Sequence, residues 1–220
     1  MTITQAVDRL ISQSPFLEEA LTDNIINVSS LARNMKPDVE KMLKKPVQEG
    51  AIVMAINRRE PGYYFKISRG IKTFMSRLGD IIVRSDLSDH SFGNSPTLLS
   101  CQRRLMDEIG PGKNLFCTFS QGVHETTIVA SNSLDPAIKE IFSDEKLLAR
   151  KSGLGSVTIM LPENNTEISG VYYFILKSLA WGGINILEII STTNEVTIVV
   201  EEKDMHRAFP LLLGLKKPNI

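Results

Sequence analysis

The sequence has few of the residues that would narrow its function at once. Its 220 residues include two cysteines, one tryptophan and 6% aromatic residues, and 25 basic residues balance 25 acidic ones. Because the net charge is zero, no overall field attracts nucleic acid or an anionic membrane, and either partner would need a local basic patch. The 42% hydrophobic content is ordinary for a folded globular protein.

Signals for export, membrane insertion or metal binding are also missing. The first residues are polar and acidic where a secretory signal is basic and then apolar. No apolar run reaches the roughly 18 residues of a membrane-spanning helix. We therefore expect a cytoplasmic protein. Cys101 and Cys117 lack CxxC spacing, so we expect small hydrophobic residues rather than a disulfide or a zinc site.

The motifs contain no set of catalytic residues. His90, His124 and His206 have no second histidine or cysteine at metal-ligand spacing, and no Gly-x-Ser-x-Gly motif accompanies them. We interpret all three as surface histidines. The sequence therefore predicts a protein that is not an enzyme and that uses no metal or cofactor.

The C-terminal third has the clearest pattern of helices and strands. Ser156–Leu161, Ile184–Ser191 and Glu195–Glu201 are typical of strands. Apolar residues recur at i, i+3, i+4 and i+7 from Ile168 to Leu179, which predicts a helix, and a last helix follows Glu201. This β-α-β-β-α order is typical of a ferredoxin-like sandwich, in which helices cover one face of an antiparallel sheet.

The same unit occurs twice along the chain. Residues 125–129 match residues 195–199 at all but one position, a shift of 70. Upstream, Leu78–Ile81 resembles Leu154–Val157 at a shift of 76, which predicts a longer strand-to-helix loop in the first copy. Residues 76–151 and 152–220 are thus predicted to be two ferredoxin-like βαββαβ domains in an α+β protein. One face of each sheet is expected to stay uncovered.

The first 75 residues predict a small all-α domain. We expect one helix around Ala6–Ile11, a second with Ser29 or Ser30 as its N-cap, and a third that begins at Pro37. The excess of basic residues up to Phe74 is only three, 11 against 8.

The region from Pro46 to Arg59 allows two interpretations. Glu49 near its start and two arginines at its end favour a helix with the charge order that a helix dipole prefers. Alternatively, Ala51–Ile56 is a strand that pairs with Tyr63–Ile67, because short apolar runs are ambiguous.

One segment has the composition of a ligand site. A polar turn, Pro162–Thr166, precedes Gly170 and a predicted helix. Backbone N–H groups at a helix start suit a carboxylate, and Glu163 suits an ammonium group, so an amino acid satisfies both. An ordinary capped turn explains the same residues equally well.

The second copy resembles the ACT domain of the aspartokinase type. The residues that carry the resemblance are GVYYFIL at 170–176, GINI at 183–186, and IIST followed by EVTI at 189–198. They are similar to the glycine-started helix, the GIN strand and the hairpin of those kinases. The hairpin is longer here, and the internal repeat extends the resemblance to the first copy.

The resemblance implies allosteric binding of an amino acid between paired ACT domains. One domain supplies the loop before its first helix, and the partner supplies its second strand. The residues implied are Glu163, Asn164, Asn165, Thr166, Ser169, Gly170 and Val171 on one side, and Asn185 and Ile186 on the other. Because the first copy has Ser100 in place of Gly170, we expect one working site per chain. The preceding 75 residues are too few for a kinase domain, so the resemblance implies no kinase activity.

The leading hypothesis is a stand-alone amino-acid sensor that forms a homodimer or a higher oligomer. One alternative is a ligand-responsive transcriptional regulator whose N-terminal helices form a helix-turn-helix. The phosphate contacts would then be Lys36, Lys41, Lys44, Lys45, Arg58 and Arg59. The other alternative is a trans-acting regulatory subunit of an amino-acid biosynthetic enzyme.

Overall fold

A computed structural model describes residues 1–59, 70–110 and 114–217 of the chain. The chain divides into two compact units. The helical unit comprises Met1–Phe74 with Ile168–Gly170, and the sheet unit comprises Met75–Glu167 with Val171–Ile220. Among the described residues, no helix has the length and apolar character that crossing a membrane requires.

The helical unit contains α1 (Ile3–Ser12), α2 (Pro15–Thr22), α3 (Val28–Leu43) and α4 (Glu49–Asn57). A further helical segment, α5, covers residues 70–75. Helices α1, α3 and α4 each carry an apolar face, and these faces pack into one core. The core comprises Ala6, Val7, Ile11, Leu31, Ala32, Met35, Val39, Val47, Ile52, Ala55 and Ile56.

Two predicted helix starts in this unit are wrong. The side chain of Asn27, not Ser29 or Ser30, caps α3 by accepting a hydrogen bond from the Ser30 N–H at 2.9 Å. Pro37 lies inside α3 rather than at the start of a new helix. Because Pro37 is exposed, the carbonyl that its missing N–H leaves unpaired faces water, and the helix continues through it.

Helix α4 begins at Glu49, three residues later than the predicted start at Pro46. The N–H of Val47 donates to a carboxylate oxygen of Glu40 on α3 at 2.9 Å, which holds the preceding turn outside the helix. Ala51–Ile56 lies within α4, so the strand interpretation is wrong. Its proposed partner, Tyr63–Ile67, lies outside the described residues.

The sheet unit alternates strands and helices. Its elements are β1 (Ile81–Gly93), α6 (Leu98–Ile109), β2 (Cys117–Gln121), β3 (Glu125–Ser131), α7 (Asp135–Ile141), β4 (Leu147–Met160), α8 (Val171–Trp181), β5 (Ile186–Ser191), β6 (Glu195–Glu201) and α9 (Met205–Gly214). The strands form one six-stranded sheet in the order β2-β3-β1-β4-β6-β5. All neighbouring strands are antiparallel.

The two long central strands are each shared between two halves of this sheet. In β1, residues 87–93 pair with β3, whereas residues 81–84 pair with residues 156–159 of β4. In β4, residues 154–160 pair with β6 on one edge, and residues between 147 and 159 pair with β1 on the other edge. Each half is therefore a four-stranded ferredoxin-like unit, as predicted. The long strands β1 and β4 each contribute one part to each half, so the fourth strand of one half is continuous with the first strand of the other. We call them the first half (β2, β3, α6, α7) and the second half (β5, β6, α8, α9).

The register confirms the predicted repeat and corrects one of its shifts. Leu87 of β1 pairs with Ser131 of β3, and Leu154 of β4 pairs with Glu201 of β6. Leu87 therefore corresponds to Leu154, so the first strands of the two copies are related by a shift of 67 residues rather than 76. The extra residues of β1 lie at its beginning, where they pair with β4. The longer strand-to-helix connection is in the second half, at 161–170 against 94–97, which is the reverse of the prediction.

Both faces of the sheet carry buried side chains. In the first half, α6 and α7 pack on Phe92, Ile128 and Ala130. Strand residues alternate between faces, so Val129 points to the opposite face, where it joins a second cluster with Leu87, Leu154 and Val199. Residues from both halves form this second core. The expectation that one sheet face stays uncovered is therefore wrong at its centre.

Candidate functional site

The connection from β4 to α8 contains most of the predicted ligand-binding residues. Glu163–Glu167 forms a 3-10 turn, in which Glu163, Asn164 and Thr166 are exposed. Ser169 is also exposed, and Gly170, at φ +90, directly precedes α8. A side chain at that φ is strained, so the predicted need for glycine here has a backbone reason.

Asn165 has a positioning role that the sequence did not predict. It is 8% exposed. Its side-chain N–H₂ group donates to the carbonyl of Pro162 at 3.0 Å and to the carbonyl of Thr193 at 2.7 Å. The N–H of Leu161 donates to the carbonyl of Asn194 at 2.7 Å. The connection is thus fastened to the β5–β6 hairpin, and the Asn165 amide is already occupied.

The structure does not bring Asn185 and Ile186 to this connection within one chain. Ile186 is the first residue of β5, and the hairpin that holds the connection follows the last residue, Ser191. At about 3.3 Å per residue, this six-residue strand separates its two ends by about 17 Å. In the order of the sheet, β5 is an outer strand, so Asn185 and Ile186 lie on an edge.

Tyr172 belongs to the site region and was missed as an individual residue. Its hydroxyl lies 2.6 Å from the hydroxyl of Ser191 at the hairpin end of β5. The side chain follows directly on Val171, which is 2% exposed and faces the core. The sequence could have indicated this position, because a residue in the first turn of a helix that directly follows a core residue points away from the core.

The corresponding region of the first half is built differently. There the carboxylate of Glu145 accepts hydrogen bonds from the hydroxyls of Ser95 at 2.5 Å and Thr97 at 2.6 Å. The thiol of Cys101 lies 3.6 Å from the same carboxylate. These residues surround the start of α6. The hydrogen bonds from Ser95 and Thr97 lower the pKa of Glu145, so an anion is held at this helix start.

His90 is not the predicted surface histidine, because its side chain is 1% exposed. It stands on the helix-covered face of β1, between the alternating positions of Ser88 and Phe92. Its Nε2 lies 2.8 Å from the carboxylate of Asp135, which also accepts hydrogen bonds from Ser88 at 2.9 Å and from Arg150. His124 and His206 are exposed, as predicted.

The charges in this cluster are balanced by hydrogen bonds among its members. Burial lowers the pKa of His90, so its imidazole is neutral and Nε2–H donates. Burial alone would raise the pKa of Asp135, but hydrogen bonds from Ser88, Arg150 and His90 together lower it. The hydroxyl of Ser88 donates to the Asp135 carboxylate, and His90 Nε2 lies 3.2 Å from the same hydroxyl oxygen. Among the described residues, no group of three or more His, Cys, Asp or Glu side chains is placed to hold a metal ion.

The six basic residues proposed for phosphate contacts differ in their surroundings. Arg59 is largely buried and forms ion pairs with Asp8 at 3.1 Å and Glu18 at 3.3 Å. Lys36 lies 3.8 Å from Glu40 on the same helix. The others are exposed, namely Lys41, Lys44, Lys45 and Arg58. Arg59 therefore has a structural function within the helical unit.

Both predicted free cysteines are confirmed. Cys101 is buried in the core of the first half, and Cys117 is half-buried at the beginning of β2. Burial raises the pKa of the Cys117 thiol to about 11, so this thiol is protonated at neutral pH and is a poor nucleophile.

Solved structures of aspartate kinases and their regulatory subunits have a similar fold. The structure of aspartokinase alpha and beta subunits aligns with 63% of this chain and 97% of its own, at 17% identity and a TM-score of 0.51. The regulatory subunit of aspartate kinase from Thermus flavus aligns over the same shares, at 10% identity and a TM-score of 0.50. Aspartate kinase from Clostridium acetobutylicum aligns over 64% of this chain and 35% of its own, at 15% identity and a TM-score of 0.53.

No protein-family model matches the sequence, and no curated protein matches it. At these identities the structural likeness establishes the fold: this chain shares the paired ferredoxin-like architecture of aspartate kinase regulatory regions.

Proposed function

We propose that the sheet unit is an ACT-type regulatory module that binds an amino acid in its second half. The observation that carries the proposal is the pair of ferredoxin-like halves, whose fold is similar to that of solved aspartate kinase regulatory subunits. The resemblance of residues 170–198 to aspartokinase ACT domains supports the same function. The module acts by binding a ligand and not by catalysis.

The ligand carboxylate binds at the start of α8, where the first N–H groups of a helix have no partner within the helix and its dipole favours a negative charge. Gly170 allows the chain to turn there at φ +90. Glu163, on the exposed 3-10 turn, pairs with the ligand's ammonium group. Asn164, Thr166 and Ser169 line the approach, Val171 contributes its backbone, and Asn165 positions the turn.

A second copy of the chain completes the site. Asn185 and Ile186 lie about 17 Å along β5 from the hairpin end, so only a neighbouring copy can bring them to the ligand. The outer edge of β5 is suited to such pairing, because exposed edges of this kind accept another strand. Ile189 on this strand is 43% exposed and Tyr173 on α8 is 38% exposed, which provides apolar contact area beside the edge.

The proposal is tested by thermal unfolding of the purified protein with each of the 20 standard amino acids. A ligand that binds only the native state stabilises it by about 2.7 kcal/mol at 100 times its Kd. We expect a selective rise of the midpoint with one amino acid or one chemically related group. If none of them raises the midpoint, amino-acid sensing is wrong.

Matched variants separate charge from backbone strain. Gly170→Asp adds a negative charge where the ligand carboxylate binds, whereas Gly170→Ala adds only the strain of a side chain at positive φ. Ser100→Asp places the same charge at the corresponding position of the first half and serves as a further control. We expect Gly170→Asp to abolish the ligand-dependent rise, and the two controls to keep it.

The two other functions make different predictions. A DNA-binding regulator requires a basic surface, and the internal ion pairs of Arg59 remove one cation from that surface. Binding of random duplex DNA at low salt would favour it. A trans-acting regulatory subunit needs no basic patch, and copurification with an amino-acid biosynthetic enzyme would favour that function.

A further inference from the structure

The start of α6 is occupied by a carboxylate from the chain itself. Glu145 lies between α7 and β4 and reaches back to the residues before α6. Ser95 links the two, because its hydroxyl accepts the N–H of Leu98 at 3.1 Å and donates to Glu145 at 2.5 Å. Thr97 adds a second hydroxyl at 2.6 Å. The carboxylate is thus held by side chains that directly precede the first turn of the helix.

The second half lacks the carboxylate and the thiol of this arrangement. At the shift of 70 that relates the two copies, Glu145 corresponds to Leu215, whose side chain has no group that can accept a hydrogen bond. Cys101, 3.6 Å from the Glu145 carboxylate, corresponds to Val171. The starts of α6 and α8 therefore differ at this pair of positions: the carboxylate of Glu145 contacts the residues before α6, whereas the corresponding Leu215 has an apolar side chain.

The backbone at the start of α6 also differs from the backbone at the start of α8. Helix α6 begins at Leu98, which corresponds to Ile168, so it has one turn more than α8 at its start. Ser100 lies in that extra turn, with its hydroxyl 2.6 Å from the carbonyl of Thr97, whereas Gly170 lies outside α8 at φ +90. The short connection at 94–97 closes the first half, and the longer one at 161–170 leaves exposed polar residues beside α8.

We propose that Glu145 is a specificity-determining residue that closes the first half to ligands. Its carboxylate takes, from within the chain, the hydrogen bonds that the hydroxyls beside the start of α6 would otherwise give to a ligand carboxylate, so each chain keeps one open site. The comparison with α8 rests on the proposed function, but the role of Glu145 at α6 is testable without any ligand of the second half.

The test is replacement of the internal carboxylate by acetate. Glu145→Ala removes the carboxylate and leaves room for a small anion, and thermal midpoints are measured in sodium acetate and in sodium chloride of equal concentration. We expect the variant to unfold at a lower temperature than the wild type and to regain stability in acetate but not in chloride. Glu140→Ala, which removes an exposed glutamate from α7, is the matched control and should show no such difference.

The decisive quantity is the acetate-specific gain of Glu145→Ala relative to the wild type. Acetate bound near α8 would stabilise both proteins equally, so failure of the proposed function does not change this difference. Equal gains in both proteins, or equal effects of acetate and chloride on the variant, would overturn the proposal.

If Glu145→Ala does not fold, Glu145→Gln decides the question, because it keeps the shape of the side chain. The folded-state pKa of Glu145 is lowered by its hydrogen bonds, so the stability it contributes is present above the ordinary glutamate pKa of 4.5 and is lost as the pH falls through the lowered value. The wild type should therefore be more stable than the variant in urea at pH 7, and this advantage should shrink on acidification. An advantage that does not change with pH would contradict the role of the charge.

Discussion

Truncation of Leu154 to alanine tests whether the two halves of the sheet are one cooperative structure. Leu154 is fully buried, pairs directly with Leu87 and belongs to the core that both halves share. It lies on β4, which contributes strands to each half. We expect its loss to destabilise the first half as much as the second.

The size of the effect follows from burial and from the surrounding strands. Truncation of a buried leucine to alanine costs about 2–5 kcal/mol, and the larger values belong to sites that cannot collapse around the cavity. Paired strands flank Leu154 on both sides, so little collapse is available. We expect a loss of about 3–4 kcal/mol.

Hydrogen exchange measured by mass spectrometry resolves the two halves. Peptides that cover β3 report on the first half, and peptides that cover β6 report on the second. The slowest amides exchange only when the cooperative unit opens, so their free energies of opening should fall by the same amount in both strands. Val123→Ala, in the loop between β2 and β3 and 87% exposed, is the control and should cost under about 1 kcal/mol. A loss of protection in β6 with β3 unchanged would show that the halves are separate domains.

Three further predictions follow from other parts of the structure. Burial lowers the folded-state pKa of His90, so the free energy of unfolding should decrease as the pH falls below the ordinary value of 6.5. His90→Gln should make this decrease smaller in urea titrations at pH 7 and 5. An equal decrease in the variant and the wild type would contradict the burial of a neutral imidazole. Gly155→Ala places a Cβ 2.7 Å from the Met205 Cγ and should lower the free energy of unfolding by about 1–3 kcal/mol. Adding Met205→Ala should restore part of this loss, and a Gly155→Ala variant as stable as the wild type would refute the contact. Arg59→Ala leaves the largely buried Glu18 unpaired and should cost about 1–3 kcal/mol of stability in thermal or urea unfolding. Arg58→Ala, the control, should change stability by less than about 0.5 kcal/mol. Equal effects of the two variants would contradict the structural role assigned to Arg59.

The fold could be predicted from the sequence because its local patterns are strong. The apolar period from Ile168 to Leu179 and the repeated hairpin residues at 125–129 and 195–199 were sufficient for two ferredoxin-like units. The sharing of β1 and β4 could not be predicted in this way. The pairing of residues 81–84 with 156–159 joins distant segments, and no local periodicity records which strand a segment will meet.

The errors in the helical unit have a common cause. Pro37 and Pro46 were both interpreted as helix starts, because proline favours the first turn of a helix. Pro37 is instead tolerated on an exposed face within α3, and the turn after Pro46 is held by Glu40. Solvent exposure and a side-chain contact decided these cases, and neither is visible in the order of residues.

The sequence pattern predicted the segment that contains the candidate site, but not the contacts within that segment. Turn residues and a glycine before a helix placed it at 163–171, and that segment does lie in the connection before α8. Asn165 holds the connection by donating to the carbonyl of Thr193, and the carboxylate of Glu145 accepts a hydrogen bond from Ser95 before α6. Both contacts bridge residues far apart in the chain, so spacing could not reveal them.

The most direct test of the ligand-binding module is a calorimetric titration of the wild type with the amino acid that raises its midpoint most. One open site per chain predicts saturation at one ligand molecule per chain, no measurable heat of binding for Gly170→Asp, and wild-type binding for Ser100→Asp. No binding of any amino acid, or wild-type binding by Gly170→Asp, would contradict the assignment of a sensor site to the start of α8.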